Sequence, residues 1–473
     1  MNKQLTDLGK GSICKLLFQL SLPAIIAQIV NVLYNIVDRI FIGRMPNGEI
    51  AMAGVGVAFP IIMIVSAFSA LVGMGGAPQA AIKMGEKDND GAEKIMSNSF
   101  SALLIISVLL TVIILTFKEN ILWAFGASNE TIEYAIDYIG IYLIGTVFVQ
   151  IGLGMNPFIN TQGFAKVGMM TIMIGAVTNI ILDPIFIFGL NLGVKGAALA
   201  TITAQFVSAA WVMKFLTGKK SILKIRKKYL VPDKKVIVPI ILLGIAPFIM
   251  QSTESLVIIS LNNSLAKYGG DLAIGAMTIM SSVMQIILLP MTGLSQGAQP
   301  IISFNYGAKN IDRVKSTFKL LLISCLTYTT LMWASIMLFP QVYVSIFNNN
   351  PELMSITSWS MKIYFAGIFI FGAQMACQQT LLSLGQAKIS MILALLRKII
   401  LLIPLIFILP NFFENKLKGV LMAEPVADIV AATTTIICFT IFYRRSLSII
   451  DKEKSNLDEK QLNLELEIAK TKE

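Results

Sequence analysis

The chain runs to 473 residues, 55% of them hydrophobic and only 14% charged, with a formal charge of +11 and no histidine. A soluble domain carries roughly 25% charged residues, so a mean hydropathy of +0.75 excludes a water-facing globular protein. The lack of histidine removes the usual neutral-pH proton shuttle and commonest metal ligand, and leaves any proton chemistry to carboxylates.

The polar stretch Met1–Gln19 has no small-residue cleavage site after the first apolar run, so that run is expected to remain as a helix. Apolar runs such as Ile61–Val72, Ala102–Phe117 and Leu320–Phe339, with their flanks, supply the about 20 residues that cross a ~30 Å hydrocarbon core. They do not alternate with period two, as barrel strands do. The pattern predicts an all-α integral membrane protein with twelve transmembrane helices, in two pseudo-symmetric six-helix lobes around a central cavity. The helices fall at roughly 15–42, 51–80, 95–117, 131–160, 167–189, 196–217, 237–265, 272–301, 316–339, 353–382, 388–410 and 419–444. Residues 1–217 form the expected N-terminal lobe and 236–445 the C-terminal lobe. Between them, residues 218–235 form a basic linker in which Lys219, Lys220, Lys224, Arg226, Lys227, Lys228, Lys234 and Lys235 face the single acid Asp233. Residues 446–473 form a charged tail. Cys14, Cys325, Cys377 and Cys438 are scattered and read as apolar fillers, with no metal or disulfide spacing.

Lysine and arginine bias sets the orientation. One side collects Lys3, Lys10, the linker, Lys83, Lys87, Lys166, Lys309, Arg313, Lys315, Lys388, Arg444 and Arg445. The other receives only Arg44, Lys118, Lys195, Lys267, Lys416 and Lys418. Both termini are therefore expected in the cytoplasm. Basic residues concentrated at membrane flanks speak against a nucleic-acid partner.

The halves repeat at a spacing of about 222 residues. Leu22-Pro23 returns as Ala246-Pro247, Gly76-Ala77-Pro78 as Gly297-Ala298-Gln299-Pro300, and Gly85-Glu86-Lys87 as Gly307-Ala308-Lys309. Gly163-Phe164-Ala165-Lys166 returns as Gly385-Gln386-Ala387-Lys388. Six helices per half make the repeat parallel, an arrangement transporters use to rock two lobes about a central site.

An ionisable group at mid-bilayer costs at least ~2.5–3.5 kcal/mol, so each needs a reason. Asn31, Asn35 and Asp38 stand at i, i+4 and i+7, one polar stripe on an apolar helix. Asn179 and Asp183 stand at i and i+4 before Pro184, whose ring suits a bend beside a polar cavity. Two carboxylates with amide oxygens suit a shared proton or a monovalent cation; a helix-capping role near the interface is the alternative for each. The second half does not duplicate this pair. It offers Glu254, Gln285, Arg397, Lys398, Glu424 and Asp428, with Arg397 expected to meet Glu254, Glu424 or Asp428. That contact reads equally as a fixed bridge or as part of a substrate cavity. Lys362 reads as a snorkelling lysine, and Pro23, Pro78, Pro247, Pro300 and Pro404 as bend points. With 24 methionines and 27 phenylalanines the walls suit varied apolar ligands or ordinary packing. No phosphate-binding loop is present, so the expected energy source is an ion gradient.

At these residues the sequence resembles the multidrug and toxic compound extrusion (MATE) family over nearly its whole length. The resemblance rests on Leu22-Pro23, on Asp38-Arg39-Ile40-Phe41-Ile42-Gly43, on Asn179 through Pro184 and on Gly196 through Thr201. Gln299-Pro300-Ile301 with Asn305-Tyr306-Gly307-Ala308 adds to it. It implies a secondary active antiporter, not an enzyme, that needs no cofactor and exports organic, often cationic, compounds against H⁺ or Na⁺ across the plasma membrane. It also implies a cation site at Asp38, Asn179, Asp183 and Thr201. The NorM-like branch has a second site with an aspartate in helix ten, where this chain has only Gln374, Gln378 and Gln379. The likeness therefore leans to the MepA-like and DinF-like branches, with H⁺ ahead of Na⁺. A flippase for a lipid-linked saccharide is the alternative function, and a non-transporting receptor or scaffold a third. Small organic substrates and the bilayer are the expected partners, with no obligatory protein partner.

The orientation makes a direct prediction. In a variant lacking the native cysteines, Lys220→Cys should react with a membrane-impermeant maleimide only once cells are opened, and Lys118→Cys in intact cells. Labelling of position 220 in intact cells would reverse the topology.

Overall fold

A computed structural model describes residues 8–347 and 350–470, with side chains described through residue 443 except at position 271. Residues 1–7, including Lys3, and the side chains of the charged tail lie outside the described residues. Among the described residues every regular element is helical.

Ten apolar helices are each long enough to cross a bilayer, and two bent pairs complete twelve. They are α1 (Ile13–Gly43), α2 (Gly48–Gly85), α3 (Asn89–Ala124), α4 (Ile132–Ile144 with Thr146–Thr161), α5 (Ala165–Gly189) and α6 (Gly193–Thr217). The second half holds α7 (Lys234–Gly270), α8 (Leu272–Gly307), α9 (Ile311–Leu338), α10 (Pro351–Tyr364 with Ile368–Ser383), α11 (Ala387–Phe412) and α12 (Lys416–Tyr443). Every predicted segment is present, longer than its apolar run by part of a turn or more at one or both ends. The polar flanks continue the helix into the interface, where hydropathy no longer marks it.

The duplication is legible in the backbone. Gly163 and Gly385 both adopt positive φ (84° and 72°), a region that glycine enters without a Cβ penalty. Lys87 and Lys309 do the same at 65° and 55°, closing the α2–α3 and α8–α9 turns. The sharpest breaks are paired too: α4 bends by 60° around Gly145 and α10 by 48° just before Ile368. Gly145 and Gly367 are again repeat partners. Pro23, Pro78, Pro247 and Pro300, expected as bend points, sit inside continuous helices.

Packing divides the molecule into a separated end and a fused end. One apolar cluster, around Ile61, Tyr138, Leu143 and Ala197, draws only on α1–α6. Another, around Met280, Phe365, Phe371 and Leu421, draws only on α7–α12. Toward the linker the clusters become shared. Val72, Met155 and Phe158 pack with Leu223 and Ile240, and Leu8, Leu16 and Leu20 with Ala298, Ile301 and Val314.

The fused end is a backbone seam. A Cβ on Gly244 would strike the Leu71 carbonyl, and one on Gly75 the Ile240 carbonyl, so α2 and α7 touch main chain to main chain. Gly297 meets Ser21 and Gly293 meets Ile25 in the same way across α8 and α1. Gly85 and Gly307 close on Phe304 and Ile82. Small residues permit this approach, which van der Waals contact then rewards in lipid.

Leading segments cross between the halves. The linker folds onto the first half: Gln162 Oε1 accepts from Ile222 N (2.7 Å), Leu223 N (2.9 Å) and Ser221 Oγ (3.0 Å). Glu93 holds Arg226 at 2.6 Å and Lys94 holds Asp233 at 2.7 Å. The Lys94 ammonium keeps the Asp233 carboxyl below the usual range. Leu230, whose carbonyl accepts from Ser101, is the repeat partner of Leu8. The Leu8 carbonyl in turn accepts from Asn305 (2.9 Å) and Arg313 (3.1 Å) of the second half. Each half is thus strapped to the other at one end.

Gly244→Ala should destabilise the protein by about 1–3 kcal/mol, through forced separation of α2 and α7. Gly56→Ala, with nothing within 4 Å of the added carbon, should be neutral or stabilising by up to ~1 kcal/mol. Thermal unfolding in detergent compares the two; equal effects would refute the seam.

Candidate functional site

The sequence-predicted residues of the first half converge. Pro184 supplies no N–H, and the chain widens into a π-helical turn over Ile185–Gly189. Gly196 lies against the Phe186 backbone, too close for a side chain, so α6 seats on that turn. Thr201 comes to rest beside Asn179 and Asp183 through this local geometry. Asn179 Nδ2 donates to Asp183 Oδ1 at 3.2 Å, and all three residues are buried.

Asp38 reaches the same place from α1. Its carboxyl faces that of Asp183. Yet Asp38 Oδ1, Asp183 Oδ2 and Asn179 Oδ1 are buried with no donor. Two carboxylates cannot bond without a proton between them, so the oxygens fit a shared proton or a small cation. Among the described residues no group of three acids, cysteines or histidines forms a metal cluster.

Aromatic hydroxyls complete the surroundings. Tyr138 faces Thr201 and Asp38, and Tyr34 faces both acids. Neither tyrosine is singled out by the sequence, although Tyr34 lies on the Asn31–Asp38 stripe. A pocket lies alongside, lined by Asn31, Tyr34, Asn179, Thr201, Gln205 and Ser208. Asn31 is therefore a wall residue. Asn35 instead donates back to the Asn31 carbonyl at 2.7 Å and contributes nothing to that wall.

The second half builds a different constellation. A π-helical turn over Leu396–Leu402 presents two adjacent cations in different directions. Arg397 reaches α12, with its Nε 2.9 Å and Nη2 2.7 Å from Asp428 Oδ1, and Nη2 3.1 Å from Glu424 Oε1. It also stacks over Phe371, 4.8 Å from the ring centre. Lys398 reaches α7, where it pairs with Glu254 and donates to the Met250 carbonyl at 2.7 Å. Two of the three expected partners of Arg397 are thus found, and Glu254 belongs to its neighbour. Arg397 and Lys398 line a small cavity with Met250, Phe371, Gln374 and Gln378. Gln285 and Lys362 are exposed and belong to neither cavity wall.

The sequence model of the MatE family matches residues 23–185 and 239–408. The multidrug export protein MepA of Staphylococcus haemolyticus (strain JCSC1435) is 28% identical over 451 residues, covering 95% of this chain and 98% of its own. The protein of the same name from Staphylococcus aureus (strain NCTC 8325 / PS 47) is 26% identical over 431 residues, with 91% and 94% covered. A crystal structure described as MATE in the bent conformation matches the fold with a TM-score of 0.88 at 23% identity, covering 96% of this chain and all of that one.

Stability should follow the ion pairs. Arg397→Ala leaves two acids buried without their cation and should cost about 3–5 kcal/mol. Lys362→Ala should cost under ~0.5 kcal/mol, as an exposed side chain without special contacts. Thermal unfolding of both variants checks this; an equal effect would contradict it.

Proposed function

The chain belongs to the MatE family, a multi-pass membrane transporter rather than an enzyme, and on that premise we propose a secondary antiporter exporting organic, often cationic, compounds. The proposed driving ion is H⁺, with Na⁺ as the other candidate for the same oxygens. The observation that carries this reading is the meeting of Asp38 and Asp183 with buried oxygens that lack donors. The names of the Staphylococcus relatives support export of many drugs.

The cycle runs from the charge state of this pair. With the pair deprotonated, a negative charge beside Asn31, Tyr34, Asn179 and Thr201 attracts an organic cation into the adjoining cavity. A proton entering between the carboxyls halves the pair's negative charge, weakens that attraction and gives Asp38 and Asp183 a direct hydrogen bond. This draws α1 against α5 and narrows the cavity between them. Cargo leaves as the ion binds, which is the exchange an antiporter requires.

The lobes are assigned as residues 1–217 and 236–445, joined by 218–235, with both termini in the cytoplasm and the protein in the plasma membrane. Under that orientation the glycine seam and the crossed straps close the cytoplasmic end, and the separated cores open outward. The coupling site is Asp38, Asn179, Asp183 and Thr201; Arg397 lines the second lobe's cavity, and Glu424, Asp428 and Glu254 pair with the two cations in its wall. A lipid-linked saccharide would call for free cations in the cavity. Here the first lobe's charges are acidic, and Arg397 and Lys398 are already paired.

Ethidium efflux from liposomes under an imposed pH or Na⁺ gradient tests the function and identifies the ion. Asp183→Asn and Asp38→Asn should each lower driven efflux at least ~10-fold, the consequence of losing a few kcal/mol of coupling. Wild-type efflux by Asp183→Asn would refute the mechanism.

A further inference from the structure

The charges of the second half do not balance. With all groups ionised, Arg397 and Lys398 supply two positive charges against three carboxylates, Glu254, Glu424 and Asp428. Lys398 answers Glu254. Arg397 is left with two acids, and it spends both of its short contacts to Asp428 on a single oxygen. Glu424 receives one bond, to Oε1, while its Oε2 is buried and has no donor. The Glu424 side chain is 7% exposed and that of Asp428 2%. Among the described residues no other titratable group compensates: the remaining one facing Glu424 is the Tyr364 hydroxyl, which is neutral, and Glu254 and Lys398 cancel.

An uncompensated carboxylate among packed transmembrane helices is costly. A proton on Glu424 Oε2 removes the excess charge without disturbing the bonds of Arg397. Arg397 is itself part of a cavity wall, along with Gln374, whose Oε1 is likewise buried without a donor. That cavity reaches Arg397 beside the cluster, with Gln374 and Gln378 in its wall, so the proton has a route in.

We propose that Glu424 binds and releases a proton during transport, as a second coupling site in the second half. The inference rests on the ion-driven export reading, and adds that each lobe carries its own proton. The repeat supplies the two lobes, and unrelated residues on α1/α5 and on α11/α12 supply the two sites. Full transport then moves two protons, one in each lobe.

Infrared pH titration of the full-length protein in liposomes tests this without any substrate. A protonated-carboxyl band should be present at acidic pH and disappear reversibly as pH rises. Glu424→Gln and Asp428→Asn each leave one acid per arginine, so each should remove one component of that band. The double variant Asp38→Asn/Asp183→Asn should retain it. An unchanged titration in both second-half variants, or a component that persists at alkaline pH, would overturn the proposal. Failure of ethidium efflux with these spectra intact would instead count against the export reading.

Discussion

The cost of a bare carboxylate in hydrocarbon governs this molecule. Water would absorb the charge of Asp38 or Asp183 at no expense; a bilayer at the same depth charges several kcal/mol for it. Both acids therefore come together with Asn179 and Thr201, where we propose that a proton or cation binds. Placing them together requires Pro184, the π-helical turn behind it, and Gly196 packed against that turn. Local strain-free widening of one helix thus sets the position of the chemistry.

The same cost explains why the two halves look alike in backbone and unlike in charge. Gly163 and Gly385, Gly145 and Gly367, Lys87 and Lys309 hold equivalent places, because turns and breaks set how each six-helix unit folds. The polar interiors are free to diverge. The first half pairs two acids, and the second sets Arg397 and Lys398 among three acids, one positive charge short of balance. The glycine seam between α2 and α7, and between α1 and α8, joins the units at one end and leaves their cores separate at the other. Rocking about such a seam needs little rearrangement within either core.

Much of this was legible in the sequence. Twenty-residue apolar runs fixed the number of spans, because nothing else accounts for so little charge. The stripe of Asn31 and Asp38, and the Asn179–Asp183 pair, stood out because polar groups are rare in such helices. Other features left no local mark. Gly145 and Gly367 look like any helical glycine, and their role depends on Ile202 and Pro425 lying across from them. Tyr34 and Tyr138 carry no sequence signal of their own; only the fold sets them beside Asp38 and Thr201. Gln162 gave no sign that it receives three donors from the linker, since two of those are main-chain groups. The choice of Glu254 by Lys398 rather than Arg397 follows from the π-helical turn, which no hydropathy pattern encodes.

The central claim is that cargo and proton compete through the Asp38–Asp183 pair. Calorimetric binding of ethidium to the purified protein, repeated in buffers of different ionisation enthalpy, counts the protons released per molecule bound. The account predicts proton release by the wild-type protein and fewer protons released by Asp183→Asn, with binding retained in measurable form. Equal proton release by the two proteins would contradict it.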